Sequence, residues 1–159
     1  MFDNLTAFRP VADFSALPPK LAALHAWWTG KRREAGRLPS RADVNPAEIP
    51  RLLPHIALLD ILRDPLDYRY RLVGTRLVEM MGAERTGKRM REVLTPPAIE
   101  ATVELMTQLL RTREPLAFSG TLFWLGKDYI EFETVILPLS SDGETVDMAV
   151  MGLEFRAKV

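Results

Sequence analysis

Cysteine is absent from the 159 residues of the chain. That excludes disulfides, zinc–thiolate sites, thiol nucleophiles and cofactors attached through sulfur. Histidine is scarce: His25 and His55 are not spaced as a metal-ligating pair, and no third ligand accompanies them. Neither sign of charge is in excess, with 21 Lys and Arg against 21 Asp and Glu. The basic footprint of a nucleic-acid binder is therefore missing. No apolar run approaches the about 20 residues that span a bilayer. Met1 to Pro10 carries Asp3 and Arg9 where a signal peptide would carry an apolar core. These absences lead to the expectation of a cytoplasmic protein with neither nucleic acid nor membrane as partner. A phosphate-binding Walker loop, a glycine-rich dinucleotide loop, a zinc-binding helix and a Ser-His-Asp arrangement are missing as well. The expectation is a protein that is not an enzyme.

What remains is ordinary globular composition, 47% apolar and 26% charged. The length suits one domain with one real core. Residues 1 to 16 read as an arm. Pro18 and Pro19 suit the first turn of a helix, where amide donors are unpaired. Leu17, Leu21, Leu24 and Trp28 then recur at helical spacing. Lys31, Arg32 and Arg33 complement the helix dipole in the last turn, and Gly36 ends it. This basic run, with Arg37 and Arg41, reads as a helix end and its solvated linker. Residues 37 to 45 read as that linker, and Asn45, Pro46 and Glu48 as a helix-start signal.

The period then changes. Ile56 to Leu62 is apolar with one acid, Asp60, and Asp64-Pro65 marks a turn. Tyr68, Tyr70 and Leu72 alternate with Arg69 and Arg71, as in a half-buried strand. Together these predict a hairpin. Gly74-Thr75 opens a short helix through Met81, closed by Gly82, and Thr86-Gly87-Lys88 is a turn. Thr95-Pro96 caps a longer helix with Ile99, Val103, Met106 and Leu110 on one stripe. Three strands follow: Leu116 to Leu125, Tyr129 to Leu137 and Val146 to Phe155. Gly126-Lys127-Asp128 and Asp142-Gly143 make the turns between them.

A hairpin, a helical middle and a three-stranded meander resemble the PAS fold. Two segments sharpen the likeness. Leu38 to Ile56 reads Leu-Pro-Ser-Arg-Ala-Asp-Val-Asn-Pro-Ala-Glu-Ile-Pro-Arg-Leu-Leu-Pro-His-Ile, and resembles the lead-in of a PAS subfamily common in alphaproteobacteria. Tyr68 to Thr75 reads Tyr-Arg-Tyr-Arg-Leu-Val-Gly-Thr, and with Thr86-Gly87-Lys88 resembles that subfamily's second strand and helical turn. The resemblance covers residues 18 to 156. It implies an α+β domain with a five-stranded antiparallel sheet, helices on one face and an N-terminal flanking helix. The division it implies is an arm and amphipathic helix over 1–36 and a PAS-like sensory domain over 37–159. It also implies a bacterial sensory or regulatory role in signal transduction without catalysis. No output domain fits in the remaining residues, so the expectation is a stand-alone module.

The family's cofactors narrow against this sequence. The axial histidine of haem-binding members usually lies on the long central helix, which has none here. Cysteinyl-flavin and cinnamoyl chromophores require the missing cysteine. A non-covalent flavin or another small ligand stays open, and the cofactor is unknown. A ligand pocket between sheet and helices would draw on Tyr70, Met80, Met81, Met106, Leu109, Phe118, Phe132 and Met148. Each of these is also an ordinary core residue by spacing. In the last strand Val146, Met148, Val150 and Gly152 share one side, and Ala149, Met151, Leu153 and Phe155 the other. Both sides are apolar, so both need a cover. The N-terminal helix is the spare element. Through Leu21, Leu24, Trp27 and Trp28 it would relay a signal to a protein partner or form the seam of a homodimer; the alternative is packing within one chain. Glu131 with Glu133, and Arg69 with Arg71, read as a salt-bridged rim. Two other classes remain: a ligand-free interaction adaptor, and a cone-shaped isomerase or cyclase using Asp60 beside Tyr70.

Overall fold

A computed structural model of the chain describes residues 7–157. Residues 1–6 of the expected arm lie outside the described residues. The rest of that segment holds a short strand, β1 (Phe8–Pro10), and a single 3-10 turn at Phe14–Ala16. Helix α1 (Pro19–Ala35) follows, with Pro19 in its first turn and Gly36 ending it at φ 68°. Residues 37–55 run as a chain of 3-10 turns. Asn45 accepts from the Ala47 amide and caps one such turn, Pro46–Glu48, so this start signal opens no longer helix. Pro50 and Pro54 lack the donors a longer helix would need.

The sheet is antiparallel and ordered β1-β4-β5-β6-β2-β3. Its members are β2 (Ile56–Leu62), β3 (Asp67–Val73), β4 (Leu116–Leu122), β5 (Lys127–Leu139) and β6 (Met148–Ala157), besides β1. Between the hairpin β2–β3 and the meander β4–β5–β6 lie α2 (Thr75–Met81), α3 (Met90–Val93) and α4 (Pro96–Thr112). The expected order of elements is present.

The strand number differs: the sheet has six strands where five were expected. The sixth is β1, paired with the β4 edge in the register Phe8↔Gly120 and Pro10↔Phe118. Gly120 makes this possible. A Cβ there would lie 2.8 Å from Phe8 Cδ1 and 3.2 Å from Phe132 Cε1. Phe8 uses the vacancy to reach the core, where it is 2% exposed.

The two faces of the sheet have different covers. On one, α1 packs across β5 and β6. Its buried residues are Leu21, Leu24 and Trp28, spaced for one helical stripe. Each such side chain contributes on the order of 1.5–3 kcal/mol when fully buried. Trp28 Nε1 donates to the Pro138 carbonyl at 2.9 Å, so its one polar atom is satisfied. Gly152 lies under this helix: a Cβ there would meet Leu24 Cδ2 at 2.7 Å and Leu21 Cδ2 at 3.0 Å. The other face carries α2 to α4. Helix α4 turns Ala98, Ala101, Thr102, Leu105, Met106 and Leu109 inward. Of the expected stripe only Met106 is fully buried; Ile99, Val103 and Leu110 are half-buried on its flank. The small Ala98 and Ala101 are buried together with Leu105 and Leu109, so the inward stripe is rotated from the expected one. Among the described residues no helix is long and apolar enough to cross a membrane.

Candidate functional site

The face beneath α2 to α4 holds a partly open cavity of about 50 Å3. Period two explains its floor: Tyr68 and Tyr70 of β3, Phe132, Thr134 and Ile136 of β5, and Met151, Leu153 and Phe155 of β6 all project the same way. Leu77 and Met81 of α2, Leu94 and Thr102 form the roof. Phe8, Phe118 and Leu122 close the β4 side, together with Trp124 from a 3-10 turn, Phe123–Leu125, that follows β4.

The aromatic wall is held by edge contacts. Phe8 meets Trp124 at 6.0 Å and 88°, and Phe132 at 5.6 Å and 71°. Trp124 meets Phe132 at 5.8 Å and 73°. Such edge-to-face pairs place the positive ring edge on the negative ring face.

Few polar atoms face this apolar space. The Tyr68 and Tyr70 hydroxyls share one hydrogen bond at 3.1 Å, with their rings nearly perpendicular. Burial pushes the Tyr68 hydroxyl well above the ordinary phenol range, and Tyr70 adds to the shift. Burial also raises Tyr70, against a smaller opposing effect of its bond from Tyr68 and of the Arg85 charge. Both stay neutral donors and acceptors at physiological pH. Thr134 Oγ1 donates to the Gly152 carbonyl at 2.7 Å. Trp124 Nε1 is buried with no hydrogen-bond partner, as is Arg85 Nε. None of the residues lining the cavity is charged.

Of the eight residues expected at a pocket, Tyr70, Met81, Phe118 and Phe132 line the cavity. The other four do not. Met80 is half-buried on α2, and its carbonyl accepts from Lys127 Nζ at 3.1 Å. Met106 and Leu109 are buried elsewhere in the core. Met148 shares the parity of Gly152 and so belongs to the α1 face. An interior strand glycine often marks a close neighbour. Gly152 was the available signal for which face α1 covers, as Gly120 was for Phe8. Trp124 was hidden because its segment reads as strand.

On the α1 face Leu21, Leu24 and Trp28 are consumed by their own sheet, each 1% exposed. Trp27 is half-buried, and its Nε1 reaches Glu48 at 3.3 Å. Beyond the helix start the face turns polar. Arg156 joins Glu131 at 2.8 Å and Glu133 at 3.8 Å, a salt-bridged rim. His55 Nδ1 stands 3.6 Å from Glu154 Oε1. His25 packs its ring edge-on to Phe14 at 4.7 Å, and burial, then the Arg32 charge, lowers its pKa below the usual histidine value. Neither histidine reaches the cavity. Among the described residues no group of three or more His, Cys, Asp or Glu is placed to hold a metal ion. Asp60 and Tyr70 do not meet as a catalytic pair. Tyr70 lines the cavity, whereas Asp60 turns to the Arg71 guanidinium at 3.3 Å.

No curated protein matches the chain at a significant level. Comparison with protein families matches the PAS domain over residues 17–153, from the start of α1 into β6. That match spans most of the chain, and the antiparallel sheet with its helical cover agrees with it. The chain belongs to the PAS domain family, whose members act as sensory and signalling domains.

Proposed function

We propose that this PAS domain is a ligand-responsive regulatory module, in which the inner cavity is the sensing site and α1 passes the signal to a protein partner. One observation carries the reading: cavity and α1 touch opposite sides of the same strand. Met151, Leu153 and Phe155 of β6 line the cavity, and Gly152 between them bears on Leu21 and Leu24. The Thr134 hydroxyl, on the cavity side, holds the Gly152 carbonyl. A ligand that fits one position of β6 better than another therefore shifts the seat of α1. Only such differential binding moves a two-state equilibrium.

The output surface is the outer side of α1. Leu21, Leu24 and Trp28 serve as the relay to the sheet. The exposed Ala23, Ala26 and Arg33 and the half-buried Trp27 remain for a partner or a second copy of the chain. No catalytic step is part of this reading.

A second reading, a ligand-free adaptor, is favoured by the cavity's size. About 50 Å3 is far below the ~300–1,000 Å3 of ordinary small-molecule pockets. Native mass spectrometry of gently purified protein separates the two. A stoichiometric extra mass released on denaturation is expected of the sensor. If the intact protein carries no extra mass, and xenon under pressure leaves the cavity residues unperturbed, the adaptor reading replaces it.

A further inference from the structure

We infer that the ligand of the inner cavity is a small uncharged molecule that presents a hydrogen-bond acceptor to Trp124 Nε1; the inference rests on the reading of that cavity as the sensing site. Three observations lead to it independently of the fold. The first is charge. The cavity wall carries no ionised side chain. An ionised guest would give up its hydration for apolar and aromatic carbon; the Arg85 charge acts on Tyr70 from outside the lining, so no charged group meets the guest directly and that cost disfavours it. The second is the orphan donor. Indole nitrogen donates and never accepts. Trp124 Nε1 is buried without a partner in the wall, whereas the Tyr68 and Tyr70 hydroxyls share one bond at 3.1 Å and Thr134 holds the Gly152 carbonyl. A buried donor left unpaired favours a guest that completes it. The third is size. A water needs only ~10–15 Å3, and a cavity of ~150 Å3 takes benzene. About 50 Å3 lies between them and suits a guest of a few heavy atoms.

The Tyr68 and Tyr70 pair adds a further polar site. Two hydroxyls sharing one hydrogen bond retain one proton and unused lone pairs. A guest that can also donate, such as a small primary amide or an alcohol, is compatible with that pair. A carbonyl or hydroxyl compound presents an acceptor to Trp124 without a charge; a hydrocarbon lacks the acceptor, and a carboxylate brings a charge that the lining does not balance.

Acetone, isobutene and acetate test this directly, because they share one Y-shaped skeleton and differ in acceptor and charge. Each is titrated into 15N-labelled protein, following the indole N–H of Trp124 and the amides of Met151, Leu153 and Phe155. The Trp124→Phe variant identifies the indole resonance and keeps a ring in the wall. Acetone is expected to move the indole signal and to bind about tenfold tighter than isobutene, the worth of one hydrogen bond to an unpaired donor. Acetate is expected to leave the cavity signals unchanged. In Trp124→Phe the advantage of acetone over isobutene should vanish. The order of the three probes on the natural chain decides the matter even if that variant folds poorly. Xenon under pressure is the control for entry of any guest. If xenon enters and acetone has no advantage, or acetate binds best, the ligand class is wrong and the sensing cavity stands. If xenon is excluded, both fall together.

Discussion

Gly152→Ala is the sharpest perturbation of the contact between α1 and the sheet. The added methyl carbon would lie 2.7 Å from Leu24 Cδ2, 3.0 Å from Leu21 Cδ2 and 3.5 Å from Val135 Cγ1. Carbon atoms rest at about 3.5–4.0 Å, so two of the three contacts are overlaps. The leucine methyls end flexible side chains, but both leucines are 1% exposed and have little room to turn. Forcing a methyl into such packing costs about 1–3 kcal/mol. Removing a strand glycine returns roughly 0.5–1 kcal/mol of backbone entropy. The net expectation is a loss of about 0.5–2 kcal/mol. At about 2–4 °C per kcal/mol for a chain of this length, the melting temperature falls by a few degrees. Leu24→Val shortens the side chain that is struck hardest. The penalty of Gly152→Ala should then be smaller in the Leu24→Val background than in the natural chain, a non-additivity expected of touching residues. Thermal denaturation of the four proteins measures it. Strict additivity, or a Gly152→Ala variant as stable as the natural chain, would refute the packing argument.

Three further outcomes are expected. Trp28→Phe loses the donor to the Pro138 carbonyl and should cost about 1–3 kcal/mol in urea denaturation, because both partners are buried; a Trp28 that served only a dimer seam would leave the monomer's stability unchanged. Phe8→Ala should destabilise the domain by roughly 3 kcal/mol, since it removes a fully buried ring that braces Phe118, Phe132 and Trp124; a cost below about 0.5 kcal/mol, typical of surface positions, would show that β1 is dispensable. His25 should titrate below the ordinary value of about 6.5 in an NMR titration. Its folded pKa is depressed, so the unfolded chain binds the proton more readily. Its contribution to stability is full above about pH 6.5 and is lost as pH falls through the folded pKa. Arg32→Gln should bring the His25 value part of the way back.

Regions with a strong local pattern were legible in the sequence. Tyr68 and Tyr70 alternating with Arg69 and Arg71 marked the inner face of β3 as far as Tyr70, and Asp64-Pro65 marked the turn before it; Leu72, expected on that inner face, is instead 47% exposed, next to the register shift between Leu58 and Leu59. Gly36 and Gly82 end α1 and α2 where left-handed residues are needed. What stayed hidden depends on distant partners. β1 has three residues and no alternation of its own; only β4, far along the chain, makes it a strand. α4 exposes Glu100, Glu104 and Arg111 and buries Ala98, Ala101, Leu105 and Leu109 with Met106; which flank of its apolar side turns inward is set by tertiary partners. The cavity was half legible for the same reason. Tyr70, Phe118 and Phe132 follow from strand parity, whereas Met148 follows from it only once Gly152 is seen to lie under α1. Trp124 sits in a turn that strand propensity masks, and its unpaired nitrogen is a fact of packing that no sequence pattern encodes.

The central claim is that filling the cavity moves α1. Amide hydrogen exchange and chemical shifts across Leu21 to Trp28, compared with and without xenon in the cavity, test it most directly. The account predicts that signals of Met151, Leu153 and Phe155 shift and that exchange in α1 changes with them, through Gly152 and its contacts with Leu21 and Leu24. Shifts confined to the cavity residues, with α1 exchange unaltered, would contradict it.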